Sequence, residues 1–223
     1  TCGVNGTTTF KNGHLLPHPY DHQVAAAPHL HTAGNTTVPA IYYLSCACGE
    51  TGTTTFVGAI DPYAGFTFEV CDGGYAIHTY TGDETAPVIP ASYNDQPVLM
   101  IQNSAFYANE FVARITIPAG ITSIGYDAFA DCSRLSQVTL SEGLSTIGSC
   151  AFRNCVELKE IVIPSSVNAI DKGAFFGAGL ETITLPLLDQ FHETDTHSFR
   201  RLFYSSEEGT YNMVATSVIL TSG

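Results

Sequence analysis

Seven side chains near the start of the chain have the chemistry of metal ligands: His14, His18, His22, His29, His31, Cys46 and Cys48. Zinc takes four nitrogen or sulfur ligands in a tetrahedron, and imidazole mixed with thiolate suits it. From this set His18, Cys46 and Cys48 are the expected ligands of a zinc ion, with a fourth unassigned. A single residue separates Cys46 from Cys48, however, whereas a zinc knuckle spaces its cysteines by two to four and adds a second pair. The same residues also read as a disulfide, or as free thiols beside polar loop histidines, and the three readings stay open. Seven cysteines in all leave at least one without an intramolecular partner.

Catalytic constellations are weaker. His192-Glu193 followed by His197 invites comparison with the zinc-protease motif, but that motif needs its histidines four apart to share one helix face. Here they are five apart, and Thr194, Asp195 and Thr196 are poor helix formers. The sequence contains no Gly-x-Ser-x-Gly elbow, phosphate-binding glycine loop or dinucleotide fingerprint. Glu207-Glu208 lies in a Ser/Gly-rich stretch and reads as solvated. The expectation is a non-enzymatic protein with no cofactor, the zinc alternative aside.

Composition narrows the partners. The net charge of −13 repels phosphate backbones, and no stretch gathers enough Lys or Arg to offset it, so nucleic acid is not an expected partner. Charged residues make up 13%, against roughly 25% in an average domain, and Thr, Ser, Asn and Gly cover the surface instead, as in extracellular β-rich proteins. No apolar run approaches the ~20 residues that span a bilayer, so no membrane insertion is expected within this stretch. The apolar content of 44% is ample for a core.

What would position any site is a repeat. Phe106, Phe129, Phe152 and Phe175 lie 23 apart, each preceded by alanine; Ile101, Ile124, Ile147 and Ile170 keep the same step, as do Ile117, Leu140 and Ile163. A fixed period of 20–30 residues with apolar positions in phase marks a solenoid, in which each coil buries its face against its neighbours. The predicted fold is mainly β: a solenoid of 23-residue coils with a parallel sheet, a hairpin cap before it, an irregular cap after it and a small N-terminal Cys/His-rich module. The expected divisions are 1–58, 59–100, 101–191 and 192–223. Cys2 to Phe10 echoes Cys48 to Phe56, so the module opens inside a repeat. Phe66 to Tyr80 reads as a hairpin about Asp72-Gly73-Gly74, Val88-Ile89-Pro90 is similar to the end of a coil, and Val214 to Leu220 reads as a final strand. Cys132 and Cys155 share a repeat position, where they are expected to fill the core rather than form a disulfide.

The phrase Ile-Gly-x-x-Ala-Phe-x-x-Cys-x-x-Leu-x-x-Val-x-Leu, at Ile124 to Leu140 and again in part from Ile147 and Ile170, resembles the BspA-type leucine-rich repeat of bacterial surface proteins. The likeness spans roughly residues 85–191. It implies a secreted or wall-attached protein of host-associated bacteria, a group suspected of adhesion. His18 with Tyr42, Tyr43, Ser45, Cys46, Cys48 and Gly49 is similar to Cys/His repeats found beside such coils, although Asn35 stands where that pattern has a cysteine.

Each coil closes on a strand whose first, fourth and sixth residues are apolar, as in Val112 to Ile117, so the residues between them face out. Aligning the coils stacks Arg114, Gln137, Glu160 and Thr182 in one column and Thr116, Thr139, Val162 and Thr184 in the next. A flat, mostly uncharged β-surface of this kind suits a host or bacterial surface protein or glycan, held by many weak contacts. The same Thr and Val residues also simply favour strands. The expected role is adhesion or protein/glycan binding outside the cell or on its wall. The alternatives are a spacer or targeting module of a larger secreted enzyme, and metal binding by the N-terminal module. Oligomeric state stays open.

Overall fold

The 23-residue register becomes a ladder of rings. In the computed structural model Phe106, Phe129, Phe152 and Phe175 are fully buried, and successive ring centroids lie 4.7, 5.3 and 5.6 Å apart. Phe203 extends the ladder at 6.3 Å, while Phe66 and Tyr80 close its other end against Phe106. Residues 10–11, 14–15, 30–32, 41–45, 51–57, 61–186, 200–204 and 217–221 are described. They fall in two units, Thr1–Ala64 and Gly65–Gly223.

The first unit contains β1 (Phe10–Lys11) paired antiparallel with β2 (His14–Leu15). It also holds an antiparallel sheet in the order β3 (Leu30–Thr32), β4 (Ile41–Ser45), β5 (Thr51–Val57). The Thr-rich stretch after Gly49 is thus a strand.

The second unit opens on the hairpin of β6 (Phe66–Cys71) and β7 (Gly74–Tyr80), turning at Asp72-Gly73 with Gly73 at φ +84°. β8 (Ser92–Tyr93) folds back on β9 (Gln96–Ile101) around Asn94-Asp95, both with positive φ, as a two-residue primed hairpin turn requires. The coils then contribute β10 (Arg114–Ile117), β11 (Ser123–Ile124), β12 (Gln137–Leu140), β13 (Thr146–Ile147), β14 (Glu160–Val162), β15 (Ala169–Ile170) and β16 (Thr182–Pro186). β17 (Ser217–Thr221) pairs parallel with β16, later in the chain than the strand expected at 214–220.

Each coil carries strands on two faces. The coil-ending strands form one, as β10–β12 and β14–β16–β17, all parallel. Among the described residues no ladder joins β12 to β14. A second sheet, ordered β15-β13-β11-β9-β7-β6, lies on another side and stacks Ile101, Ile124, Ile147 and Ile170 in register. The sequence reading foresaw only the first face.

Between the faces the chain makes two left-handed turns per coil. Ser104, Asp127 and Cys150 have φ of 58°, 52° and 56°, with Gly173 aligned at 73°; Ala108, Asp131 and Asn154 follow at 53°, 61° and 57°, with Gly177 at 69°. The turns aim backbone groups along the axis, so Phe106 N donates to Ala128 O, Phe129 N to Ala151 O and Phe152 N to Ala174 O at 2.7–2.8 Å. Side chains reinforce them. Asn154 Nδ2 donates to Asp131 Oδ1 at 2.8 Å, and Arg153 lies 3.6 Å from buried Asp127 and 3.5 Å from Asp131.

Cys132 and Cys155 are buried free thiols that donate to the carbonyls of Phe106 and Phe129 at 3.0 and 3.1 Å. Burial pushes the Cys132 thiol up to about 12 and the Cys155 thiol well above its ordinary value. In the unfolded chain both ionise near ~8.5. Above that pH the unfolded state binds fewer protons than the native one, so stability is intact below ~8.5 and falls as pH rises toward the native values. Iodoacetamide at about pH 8 should therefore leave Cys132 and Cys155 unmodified until the chain is unfolded, and the urea midpoint should drop by about pH 10. Rapid labelling of both in the native protein would contradict the buried placement.

Candidate functional site

The candidate site is the outer side of the coil-ending strands. Inward side chains alternate with outward ones along each strand: Ile115 and Ile117 are buried while Arg114 and Thr116 are exposed. The same alternation exposes Gln137 and Thr139 on β12 and Glu160 and Val162 on β14, and leaves Thr182 and Thr184 half-buried on β16. Cross-strand register places Arg114 beside Gln137, Thr116 beside Thr139, Glu160 beside Thr182 and Val162 beside Thr184. All eight residues picked out by the repeat thus lie on one side of the coils. His18, Cys46 and Cys48, like His192 and His197, lie outside the described residues.

Two further rows belong to this face. Thr85 O accepts from Ala113 N and Arg114 N at 2.8 and 3.0 Å, just as Ala113 O accepts from Ser136 N and Gln137 N. Residue 85 therefore holds the place of Ala113 one coil earlier, and exposed Val88 that of Thr116. Pro87 has no N–H, which removes a ladder donor where this segment passes β10. At the far end Ile219 pairs with Thr184 and Ser217 with Thr182. Ile219 is exposed and continues the column. The likeness of Val88-Ile89-Pro90 to Ile115-Thr116-Ile117-Pro118 was a usable signal for the first row; Ile219, 35 residues past Thr184, had none.

Where ladders are missing the surface is indented. A cleft of about 330 Å³ between Val88 and β10 is lined by Arg114, Thr116, Gln137 and Thr139. A second of about 610 Å³ over β12 and β14 is lined by Gln137, Thr139, Glu160 and Val162. Gln137 and Thr139 line both clefts, which adjoin at β12 and are together termed the trough. Arg114 stands at one end of its charged column and Glu160 two coils on, and among the described residues neither is in an ion pair. The face offers hydroxyls, one amide, one cation, one anion and exposed β-branched side chains. That inventory contains no nucleophile paired with a base.

A parallel two-faced solenoid with a 23-residue step and a buried Phe ladder is a leucine-rich repeat domain. Residues 95–206 match the BspA type leucine rich repeat region in six copies, and the chain belongs to that family. It is similar to a leucine-rich repeat protein from Bacteroides capillosus at 38% identity and a TM-score of 0.50, over 53% of this chain and 92% of that one. It is also similar to a leucine rich cell surface protein from Faecalibacterium prausnitzii at 28% identity and a TM-score of 0.53, over 70% of this chain and 41% of that one. No curated protein matches.

Proposed function

We propose that this chain is a non-enzymatic recognition module of the bacterial cell surface, which uses the outer strand face to adhere to a protein or glycan. The observation that carries the reading is the column Val88, Thr116, Thr139, Val162, Thr184, Ile219: equivalent positions of six coils, paired directly as Thr116–Thr139 and Val162–Thr184–Ile219, wholly uncharged, on a protein of net charge −13. Strand propensity accounts for Val and Thr at each position. It does not account for the trough beside them, where Arg114 and Glu160 stand without ion-pair partners among the described residues. The similar cell-surface protein from Faecalibacterium prausnitzii supports an extracellular or wall-attached location.

The test is an array of host matrix proteins, mucins and glycans probed with the 223-residue protein and with an Arg114→Ala/Glu160→Ala variant. Saturable binding weakened in the variant is the expected outcome. Binding of unchanged strength would move recognition off this face.

A further inference from the structure

We propose that β17 pairs antiparallel with β17 of a second copy of this chain, joining two solenoids end to end in a closed dimer. The strand ends the sheet β14-β16-β17 and, among the described residues, pairs with β16 alone. Register sets Val218 beside Ile183 and Leu220 beside Leu185, which are inward positions of the coil before. Ile183 and Leu185 are 0% exposed, whereas Val218 is 40% and Leu220 36% exposed. Two core positions of the repeat thus lie open at this end, where a terminal coil ordinarily turns polar residues outward. Sheet edges are also usually blunted by charge or proline. β6, the edge of the other sheet, carries Glu69, and Pro87 stands in the row beside β10. β17 is Ser-Val-Ile-Leu-Thr, with no charge, proline or glycine.

The occupant follows from the strand's own symmetry. Ser217 N donates to Glu181 O at 3.0 Å, so Ser217, Ile219 and Thr221 aim their backbone groups at β16. Val218 and Leu220 therefore aim theirs at the open edge. An antiparallel ladder alternates residue pairs that exchange two hydrogen bonds with pairs that exchange none. A two-fold axis at Ile219 meets that pattern. Val218 of each copy exchanges both bonds with Leu220 of the other, and the two Ile219 residues form the unbonded pair between them. The side chains match in the same register: Val218 meets Leu220 on the core side, Ile219 meets Ile219 on the outer side, and Ser217 meets Thr221 at both ends. The order Ser-Val-Ile-Leu-Thr has the same polarity read from either end. Two copies of net charge −13 repel each other, and this edge brings no charge to the contact. A two-fold contact closes after two copies, whereas head-to-tail stacking of coils would propagate and make no use of the symmetry.

Sedimentation velocity of the 223-residue protein should show a reversible monomer–dimer equilibrium below about 100 μM. Ile219→Lys and Ile219→Glu each set like charges opposite one another at the axis, and each should raise the dissociation constant about tenfold. Ile219 is 47% exposed, so both variants should melt with the wild type. Mixed in equal amounts, the two variants should recover the dimer, because a two-fold axis at this residue sets lysine opposite glutamate. A wild-type protein that stays monomeric, or that grows past the dimer, overturns the proposal. So does a dimer indifferent to either variant, or a mixture of the two that stays monomeric.

Discussion

Replacing Phe152 with alanine should lower the unfolding free energy by about 3–5 kcal/mol. The ring is fully buried, with Phe129 at 5.3 Å and Phe175 at 5.6 Å on its two sides and interplanar angles of 2° and 6°. Truncation removes both stacking contacts and leaves a cavity between coils. Little can fill it, because the backbone carrying each neighbouring ring is tied to the next coil by bonds such as Phe129 N to Ala151 O and Phe175 N to Leu202 O. In a solenoid the two flanking interfaces carry the coupling between repeats, so a break at the middle of the ladder weakens both halves. Urea denaturation read by circular dichroism measures the loss. Val156→Ala, at a half-exposed position, is the control and should stay within about 0.5 kcal/mol. A Phe152→Ala cost below ~1 kcal/mol would mean the buried face has been misplaced.

Gly148→Ala comes next, at about 2–3 kcal/mol. A Cβ there would sit 2.8 Å from Gly125 C, 2.9 Å from Tyr126 N and 3.0 Å from Gly125 O. All three are backbone atoms of the preceding coil, so no side chain can swing aside. The coils must part where Gly148 N donates to Ile124 O at 2.8 Å. Gly125 meets Asn103 and the backbone of Gln102 in the same way, which gives glycine in these two coils its physical reason, whereas Asp171 at the equivalent place makes the same bond, to Ile147 O at 2.9 Å, with a side chain. Gly120→Ala, whose Cβ would meet only Val98 O at 3.6 Å, should be within about 0.5 kcal/mol of wild type. Equal effects at the two glycines would refute the close-approach account.

The parts of this fold legible in the sequence are those written in large side chains. Phe106 to Phe175 and Ile101 to Ile170 announce their burial by recurring in phase, and alternation in Arg114 to Ile117 announces both a strand and its outer face. The second sheet could not be read, because Ser123–Ile124 and Thr146–Ile147 are too short to show a period of two. The left-handed turns were hidden for a different reason. Ser104, Cys150 and Ala108 are not residues that signal positive φ by type, and the residues that do, Asp127, Asp131, Asn154, Gly173 and Gly177, change in type from coil to coil rather than repeating as one residue at one position. The site was half legible. Its eight central residues follow from the register, and Val88 from its likeness to Thr116. The trough does not, since it arises where ladder bonds are missing at Pro87 and between β12 and β14, and the latter gap leaves no mark in the side-chain pattern.

The lengthened C-terminal coil shows how a repeat can continue after its period is lost. Phe203 lies 28 residues beyond Phe175, yet Gly173 N donates to Arg201 O and Phe175 N to Leu202 O, the bonds each earlier coil makes to the next. Leu202 and Phe203 are buried by them, and β17 follows in register on β16. Backbone geometry kept the stacking while the spacing drifted.

The outer strand face is proposed to do the recognising. The most direct measurement is the dissociation constant of the 223-residue protein and of its Arg114→Ala/Glu160→Ala variant for the matrix protein, mucin or glycan that the array selects. Both side chains are exposed, so the variant should keep the fold while losing affinity by about three- to tenfold. An unchanged dissociation constant, in a variant that melts with the wild type, would contradict the account.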